Sequence, residues 1–255
     1  MAAPKPLSVQ LYSLRDASAQ DFPGVLKRVA AMGYQGVEPA GFYGLTAAEV
    51  AKIVKDLGMT VSSTHSPWAG PANAQEVIDA AGVLGTRLVI GGFGPPDFAD
   101  EAAIRKTADT VAAIRAPLAK AGLTLLLHNH WWEFERLADG RLKYEVFAGL
   151  CPEVAFELDT YWAANFGANR APEMVAKFAS RCPLLHIKDG TFERDTPMTA
   201  VGAGKNDIPG IVGAADPAVL QWLVVEADAY AGDMFECIGQ SYTYLTRNKL
   251  AAGNK

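Results

Sequence analysis

A glycine ends one predicted helix after another in this chain, each time directly before a short β-rich segment. The four positions are Gly33, Gly58, Gly85 and Gly122. Glycine is favoured at a helix C-terminus because it adopts a left-handed backbone conformation without a steric clash at Cβ. Four repetitions of the same ending predict a repeated unit of one strand and one helix, which restricts the fold to the α/β class.

Eight β-rich segments alternate with amphipathic segments along the chain. The predicted strands are 7–12, 35–38, 60–65, 87–91, 124–130, 154–159, 184–188 and 223–226, and the clearest predicted helices are 22–32, 47–57, 74–84, 102–121 and 172–180. Eight units close into a barrel, whereas six or seven would form an open doubly wound sheet. No GxGxxG motif follows the first strand, which weakens the dinucleotide-binding form of the open sheet. We predict a single (β/α)8 TIM barrel domain over residues 1–255.

The composition favours a small-molecule substrate. A formal net charge of −5 and the lack of a basic cluster interleaved with aromatics exclude an extended nucleic-acid interface. Apolar runs stop well short of the ~20 residues of a membrane-spanning helix, so no membrane partner is expected. Cys151, Cys182 and Cys237 form no CxxC pair, which is typical of reduced thiols. The first six residues lack the apolar segment of a signal peptide, so we expect a cytoplasmic location, or a periplasmic one if a signal peptide has been removed.

All four histidines fall at or near the carboxyl ends of predicted strands. They are His65, His128, His130 and His186. The active site of a β/α barrel is built at that end, whereas histidines in structural roles have no reason to share it. His128 and His130 lie two apart on one strand and therefore point to the same face. Glu133 lies just past the strand end and could fold back over the same cavity.

Acidic and basic residues also end the later strands. Asp159 ends the sixth, His186 and Lys188 point the same way on the seventh, and Glu226 ends the eighth. Two further carboxylates have open interpretations: Glu157 could be a layer residue paired with a base, and Asp228 could cap a helix. Imidazole and carboxylate ligands together suit zinc, manganese, iron or cobalt in an open site. Buried charges of this kind are costly unless they are paired or bound to a metal.

These residues lie in a series of motifs that spans nearly the whole chain. The motifs are 9–15 (VQLYSLR), 36–38 (GVE), 128–130 (HNH) with Glu133 and Phe134, 159–162 (DTYW), 186–189 (HIKD), 202–204 (GAG) and 225–228 (VEAD). In them the sequence resembles the xylose-isomerase-like barrel superfamily, in particular its sugar phosphate isomerases/epimerases. The resemblance implies one divalent ion held by Glu, Asp, His and Glu from strands five to eight.

Carried over by position, the resemblance makes Asp159, His186 and Glu226 metal ligands. The fifth-strand ligand is either His128, which stands where many relatives have glutamate, or Glu133, which we prefer because a second carboxylate near the metal also supplies a base. Manganese is the preferred ion among Mn, Zn, Co, Fe and Mg. The expected reaction is isomerisation or epimerisation of a keto sugar by proton abstraction next to its carbonyl.

The expected roles of the site residues follow from this chemistry. Glu133 and Glu226 are the candidate bases, on opposite sides of the substrate, and Lys188 is expected to stabilise negative charge on an oxygen. The remaining candidates are expected to contact the sugar: His65, His130, Trp68, Trp162, Glu38 and Tyr12. Trp131 and Trp132 could also offer flat apolar faces.

Other functions use the same residues. A 3-keto-glycoside lyase or deglycosidase would abstract the same kind of proton and expel the anomeric group. An apurinic endonuclease would need several metal ions, more histidines and a basic face, and a sugar-binding protein without catalysis is a further alternative. The segment 202–207 has too few glycines and lysines to indicate a phosphate site. The tail is predicted to form a helix over 242–250 with a frayed end, which could reach a partner subunit in a homo-oligomer.

Overall fold

The computed structural model describes residues 3–255. Met1 and Ala2 lie outside the described residues. They belong to the predicted domain and to the N-terminal segment that was predicted to lack a signal peptide. Eight strands are joined in parallel by helices. They are β1 Lys5–Gln10, β2 Gly36–Glu38, β3 Thr60–Val61, β4 Leu88–Gly91, β5 Thr124–His128, β6 Ala155–Asp159, β7 Leu184–Ile187 and β8 Trp222–Val225. Along the sheet they follow the order β3-β2-β1-β8-β7-β6-β5-β4.

The two ends of this sheet meet and close the barrel. Thr64, just beyond β3, forms a parallel bridge with Val89 in β4. The Thr64 amide donates to the Leu88 carbonyl at 3.1 Å, and the Ile90 amide donates to the Thr64 carbonyl at 3.0 Å. The (β/α)8 barrel is therefore confirmed, and the open sheet is excluded.

The helices surround the barrel, and the four glycines predicted to end helices all have positive φ. The helices are α1 Arg15–Met32, α2 Ala47–Asp56, α3 Ala74–Leu84, α4 Glu101–Lys120, α5 Lys143–Leu150, α6 Thr160–Ala163, α7 Ala171–Phe178, α8 Ile208–Ala214 and α9 Met234–Arg247. Helix α1 is interrupted at Asp21, which has non-helical angles. Its side chain accepts a hydrogen bond from the Gly24 amide at 2.9 Å, so the helix predicted from residue 22 is the second part of α1.

Several predicted boundaries are wrong. Strand β1 ends at Gln10, where a 3₁₀ helix over Leu11–Leu14 begins, and β5 ends at His128 rather than at residue 130. Strand β3 is two residues long because the chain turns soon afterwards, where the Ser66 amide donates to Thr64 Oγ1 at 2.9 Å. The last helix starts at Met234 rather than at residue 242, since the Asp233 side chain accepts from the Phe235 amide at 2.9 Å and caps it. The tail after α9 is not frayed: β9, Ala251–Ala252, pairs with the start of β1.

Two apolar regions lie on the two faces of the barrel wall, and a third, separate from both, consists of Tyr161, Met198, Ala200, Ala227 and Cys237. Of the first two, the larger one lies between the sheet and the helices and includes the buried cysteines Cys151 and Cys182. The smaller one, called the apolar layer below, fills the barrel interior toward the amino ends of the strands and consists of Leu88, Ile90, Leu126, Leu184 and Val224. Within residues 3–255, no helix combines the length and apolar character needed to traverse a lipid bilayer.

Candidate metal centre

Alternation along the strands places polar side chains directly above the apolar layer. Side chains two apart on a strand share a face. On β7, Leu184 in the apolar layer is therefore followed by His186 and then by Lys188 just beyond the strand. The same step leads from Leu126 to His128, from Val224 to Glu226 and from Glu157 to Asp159. The strands thus build two polar layers at the carboxyl end of the barrel.

The outer of these layers is centred on the Lys188 ammonium. We call Asp159, Lys188, Glu226 and Asp228 the upper cluster. Lys188 Nζ lies 2.9 Å from Asp159 Oδ2, 2.9 Å from Glu226 Oε2 and 3.0 Å from Asp228 Oδ1. Asp228 accepts hydrogen bonds from this ammonium through both oxygens, at 3.0 and 3.1 Å, whereas Asp159 and Glu226 are close enough to pair with its charge. Asp228 therefore does not cap α9, whose N-cap is Asp233.

The charges of the upper cluster shift its pKa values in opposite directions. Burial raises the pKa of Asp159 to about 6, against the attraction of Lys188. Burial also acts on Glu226, but Lys188 and His186 outweigh it and hold the pKa of this carboxyl well below its usual range. Despite burial, the surrounding carboxylates raise the pKa of Lys188. Near neutral pH, Glu226 is therefore ionised and Lys188 is a cation.

The inner polar layer joins carboxylates to imidazoles. We call Glu38, His65, Glu157 and His186 the lower cluster. Glu157 Oε2 lies 2.7 Å from His65 Nε2, and its Oε1 lies 3.1 Å from His186 Nε2. Glu38 Oε1 lies 2.8 Å from His186 Nε2 and 3.2 Å from His65 Nε2. Gln10 also donates to Glu38 Oε1 at 2.7 Å, so this carboxylate is fixed from several sides.

Histidine protonation in the metal-free protein follows the nearest charges. Burial disfavours the His65 imidazolium, but Glu157 and Glu38 overcome this and raise its pKa to about 10. The pKa of His186 is raised for the same reason. Burial and the charge of His186 hold the pKa of His128 well below its usual range. Burial and Lys188 lower the pKa of His130 to about 4, so this imidazole is neutral at pH 7.

Two overlapping groups of side chains can hold a metal ion. In each group, one donor atom per residue lies within 4.8 Å of all the others. One group is His65, His128, Glu157 and His186, and the other is His128, Asp159, His186 and Glu226. Both combine imidazole nitrogen with carboxylate oxygen, the ligand set of zinc, manganese or iron sites.

Two observations fit a divalent cation at the second group. Asp159 Oδ2 is buried and has no hydrogen bond of suitable geometry to any residue in 3–255, although Lys188 Nζ is near. The upper cluster also sets three carboxylates against one ammonium, and a divalent ion would neutralise the remaining negative charge. Buried polar atoms and charges without partners are energetically costly, and a bound divalent ion would reduce that cost at this site.

The structure brings most of the predicted metal residues together, with Glu133 outside both groups. Asp159, His186 and Glu226 share a group with His128. Glu133 is 1% exposed and accepts a hydrogen bond from the His130 amide at 2.9 Å through Oε2. Burial raises the pKa of Glu133 to about 8, so it is a neutral acid at pH 7. Its side chain shapes the loop after β5.

The residues predicted to contact substrate lie at two depths. His65 and Glu38 belong to the lower cluster, where His65 Nε2 and both oxygens of Glu38 already have partners. Tyr12 and Trp68 lie at the rim and are 44% and 38% exposed. His130 lies between these levels, and its buried Nδ1 has no hydrogen-bond partner among the described residues. The rim residues and His130 are therefore available to a ligand.

Aromatic side chains form a continuous wall on one side of the mouth. The Trp131 ring lies 5.7 Å from Trp132 and 5.9 Å from Phe166, which lies 5.8 Å from Trp162. The backbone of Phe166 has φ 53°, a conformation that is strained for a large side chain. Trp162 also lies 5.7 Å from Lys188 Nζ, so the wall reaches the upper cluster.

The glycine-containing loop after β7 is organised internally. The Asp189 carboxylate accepts hydrogen bonds from the amides of Gly202 at 2.9 Å, Gly204 at 3.0 Å and Asn206 at 3.0 Å. These are the amides that a phosphate would need, so this loop does not resemble a phosphate cradle. Sequence reasoning missed Asp189 as the centre of the loop, and no spacing signal identifies it.

Sequence reasoning also left Glu157 and Gln10 out of the site. Glu157 could have been included, because it lies two residues before Asp159 and shares its face of β6. Gln10 ends β1 and gave no chemical signal, since its contact with Glu38 depends on the pairing of β1 with β2.

Comparisons with known proteins agree with this architecture. The chain is similar over 100% of its length to 96% of a sugar phosphate isomerase/epimerase from Parabacteroides distasonis ATCC 8503, with 25% identity and a TM-score of 0.79. At 15% identity and TM-score 0.70, 97% of the chain matches 100% of a D-psicose 3-epimerase from Clostridium cellulolyticum H10. A probable 3-DHS dehydratase from Bacillus anthracis matches at 12% identity and TM-score 0.72, over 94% of this chain and 98% of that one.

No curated protein sequence matches the chain significantly. The sequence profile described as xylose isomerase-like TIM barrel matches residues 26–233, which is most of the chain. With the closed barrel and the polar layers at the carboxyl ends of its strands, this match shows that the chain belongs to the xylose isomerase-like TIM barrel family.

Proposed function

We propose that this protein is a divalent-metal-dependent isomerase or epimerase of a keto sugar. The observation that supports it most is the convergence of donor atoms from His128, Asp159, His186 and Glu226 within 4.8 Å of one another. We propose His128, rather than Glu133, as the ligand from β5, because Glu133 lies outside both donor groups and its carboxyl is used by the His130 amide.

In the proposed reaction, the cation activates the carbonyl of the substrate and the side chains of the protein remove the proton. A divalent ion, when bound, polarises a carbonyl and so acidifies the neighbouring C–H. Glu226 is the proposed base: it is ionised, 6% exposed and held by Lys188 at 2.9 Å. Asp159 Oδ1 accepts from the amides of Tyr161 and Trp162 at 3.0 and 2.9 Å, which fixes the carboxylate and leaves Oδ2 directed into the site.

The rest of the mouth supplies contacts for a sugar. The neutral His130 imidazole can hydrogen-bond a substrate hydroxyl through Nδ1, which lacks a protein partner among residues 3–255. Lys188 is surrounded by three carboxylates, so its proposed role is to position Glu226 and Asp159 by their charge, with stabilisation of an oxyanion only when substrate displaces one of them. The named activities of the Parabacteroides and Clostridium proteins support a sugar with a ketone as the substrate class.

Deuterium exchange tests this function. Metal-free protein is incubated in deuterated water with a panel of ketohexoses, with and without Mn²⁺, and the sugars are analysed by NMR. We expect Mn²⁺-dependent deuterium incorporation at the carbon beside the carbonyl. Glu226→Gln should slow the exchange by about 10²–10⁴-fold, since it removes the base. Glu76→Gln, which changes an exposed glutamate on α3, is the matched control. Exchange by Glu226→Gln at the wild-type rate, or none with any ketose, would contradict the proposal.

A second candidate function is elimination from a 3-keto-glycoside. The aromatic wall of Trp131, Trp132, Trp162 and Phe166 favours it, because an aglycone would need an apolar surface beside the sugar site. Glu226 would remove the proton beside the ketone, a C=C bond would form, and the anomeric C–O bond would break. Release of p-nitrophenol from p-nitrophenyl 3-keto-glucoside would indicate this reaction, whereas exchange without release would indicate the isomerase or epimerase.

A further inference from the structure

The two groups that can hold a metal ion share His128 and His186. A neutral imidazole has one nitrogen lone pair and one N–H, so each ring can bind one ion and donates a proton from its other nitrogen. The two groups therefore cannot both be filled by separate ions through these rings. One group must bind the cation, and the other must receive the N–H groups.

Glu157 is the carboxylate that both rings contact. His128 Nδ1 lies 3.0 Å from Glu157 Oε2, and His186 Nε2 lies 3.1 Å from Glu157 Oε1. The hydrogen bond of His186 Nε2 is made with Glu38 Oε1 at 2.8 Å, so Glu157 Oε1 is buried without a hydrogen-bond partner among the described residues and can still accept one. The other nitrogen of His186, Nδ1, faces Glu226 Oε2 at 2.8 Å, on the side of the upper cluster. Each oxygen of one fully buried carboxylate thus faces the ring of a different proposed ligand.

We propose that Glu157 is a positioning residue. Its Oε2 accepts the N–H of His128, its unpaired Oε1 accepts that of His186 when a cation is bound, and the two contacts turn His128 Nε2 and His186 Nδ1 toward one cation held by the group of His128, Asp159, His186 and Glu226. This inference rests on the metal-dependent function proposed above. A carboxylate behind a metal-bound histidine fixes the ring and its tautomer. Here one carboxylate fixes two rings, which come from the neighbouring strands on either side of β6.

Glu38 offers a comparison within the same layer. It contacts His186 at 2.8 Å but also receives hydrogen bonds from Gln10 and Ser63, and it makes no contact with His128 among the described residues. Loss of its charge would leave Glu157 Oε1, 3.1 Å from His186 Nε2, as the acceptor for that ring. Loss of the Glu157 charge affects both rings, since a glutamine in its place has one acceptor oxygen and an NH₂ group. The NH₂ group would face one imidazole and force that ring to present its N–H toward the cation.

The experiment measures Mn²⁺ binding by calorimetry for metal-free full-length variants. Glu157→Gln should weaken binding by about 10–100-fold, the usual effect of removing such a partner, and Glu38→Gln should weaken it less. Ser8→Ala is the matched control, because Ser8 is a buried barrel residue whose hydroxyl pairs with Ser62 at 2.8 Å. Asp159→Asn removes a proposed ligand and should lose binding most. Electron paramagnetic resonance should find two imidazole nitrogens on Mn²⁺ in the wild type and one in Glu157→Gln.

Each outcome has a separate meaning. Wild-type protein that binds no Mn²⁺ overturns both the proposed function and this inference. Wild-type binding with equal affinity in Glu157→Gln overturns the inference alone. Loss of binding in Glu157→Gln with no loss in Asp159→Asn places the ion in the other group, His65, His128, Glu157 and His186, and also overturns the inference. If Glu157→Gln does not fold, ¹⁵N NMR of Zn²⁺-loaded wild type decides: protons on His128 Nδ1 and His186 Nε2 support the inference, and the opposite tautomers contradict it.

Discussion

The two ends of the barrel interior are built from the same strands and have opposite chemistry. Toward the amino ends, the apolar layer has hydrocarbon side chains that are 0–7% exposed. Two residues further along the strands, the lower and upper clusters bury five carboxylates, Glu38, Glu157, Asp159, Glu226 and, half-buried, Asp228. One step of the strand alternation thus separates a region that stabilises the fold from a region of buried charge.

The difference shows how the barrel separates stability from function. Burial of apolar area stabilises the folded state by about 25 cal/mol per Å² and needs no particular partner. A buried carboxylate is tolerated only when a cation or a donor faces it. In the upper cluster that cation is Lys188, and the balance of charge there favours an additional divalent ion. The amino end can therefore be stable without ligands, whereas the carboxyl end depends on its cations.

The largest effect on stability is expected from Lys188→Met. This change leaves Asp159, Glu226 and Asp228 without their shared ammonium, and removing one partner of a buried ion pair typically costs about 3–5 kcal/mol. Urea unfolding of the metal-free protein measures the loss. Saturating Mn²⁺ should restore part of it, because a bound cation replaces the missing charge. A loss below about 1 kcal/mol would mean that the three carboxylates are neutral or hydrated in the folded protein.

A truncation in the apolar layer should cost nearly as much but respond differently to metal. Leu184→Ala removes a fully buried side chain two residues before His186 and should destabilise the protein by about 2–5 kcal/mol. The stabilisation produced by Mn²⁺ should equal that of the wild type, since the donor groups are unchanged. A loss of Mn²⁺ affinity in Leu184→Ala would show that the apolar layer also positions the metal ligands.

Much of this arrangement could be predicted from the sequence because it depends on local periodicity. The carboxyl-end positions of Asp159, His186 and Glu226 follow from where each strand ends. The repeat of strand, helix and glycine predicted the closed barrel in the same way. His130 was predicted to share a strand with His128, but β5 ends at His128; the two rings still lie 5.1 Å apart.

Contacts across the barrel could not be predicted in this way. Glu38 and His186 are 148 residues apart and meet because closure brings their side chains together in the barrel interior. Asp189 organises its loop through backbone amides, and Glu133 bonds the His130 amide, so loop conformation decides both. No spacing of residue types encodes a backbone amide that happens to face a carboxylate.

The smallest expected effect concerns Glu133 and appears as a pH dependence. Folded metal-free protein keeps this buried carboxyl protonated up to about pH 8, whereas an unfolded glutamate releases its proton near pH 4.3. Between these values the folded state binds more protons, so this contribution to stability is complete below about pH 4.3 and is lost as the pH rises through about 8.

Glu133→Gln resembles the neutral acid and removes this dependence. Relative to the wild type, the variant should gain stability as the pH rises from 5 to 8, by at most about 1.4 kcal/mol per pH unit. Urea unfolding at several pH values measures the difference, and Glu173→Gln, an exposed substitution on α7, is the control and should follow the wild type. A difference independent of pH would mean that Glu133 is ionised in the folded protein. That result would support Glu133, rather than His128, as the metal ligand contributed by the β5 region, because an ionised buried carboxylate needs a cation near it.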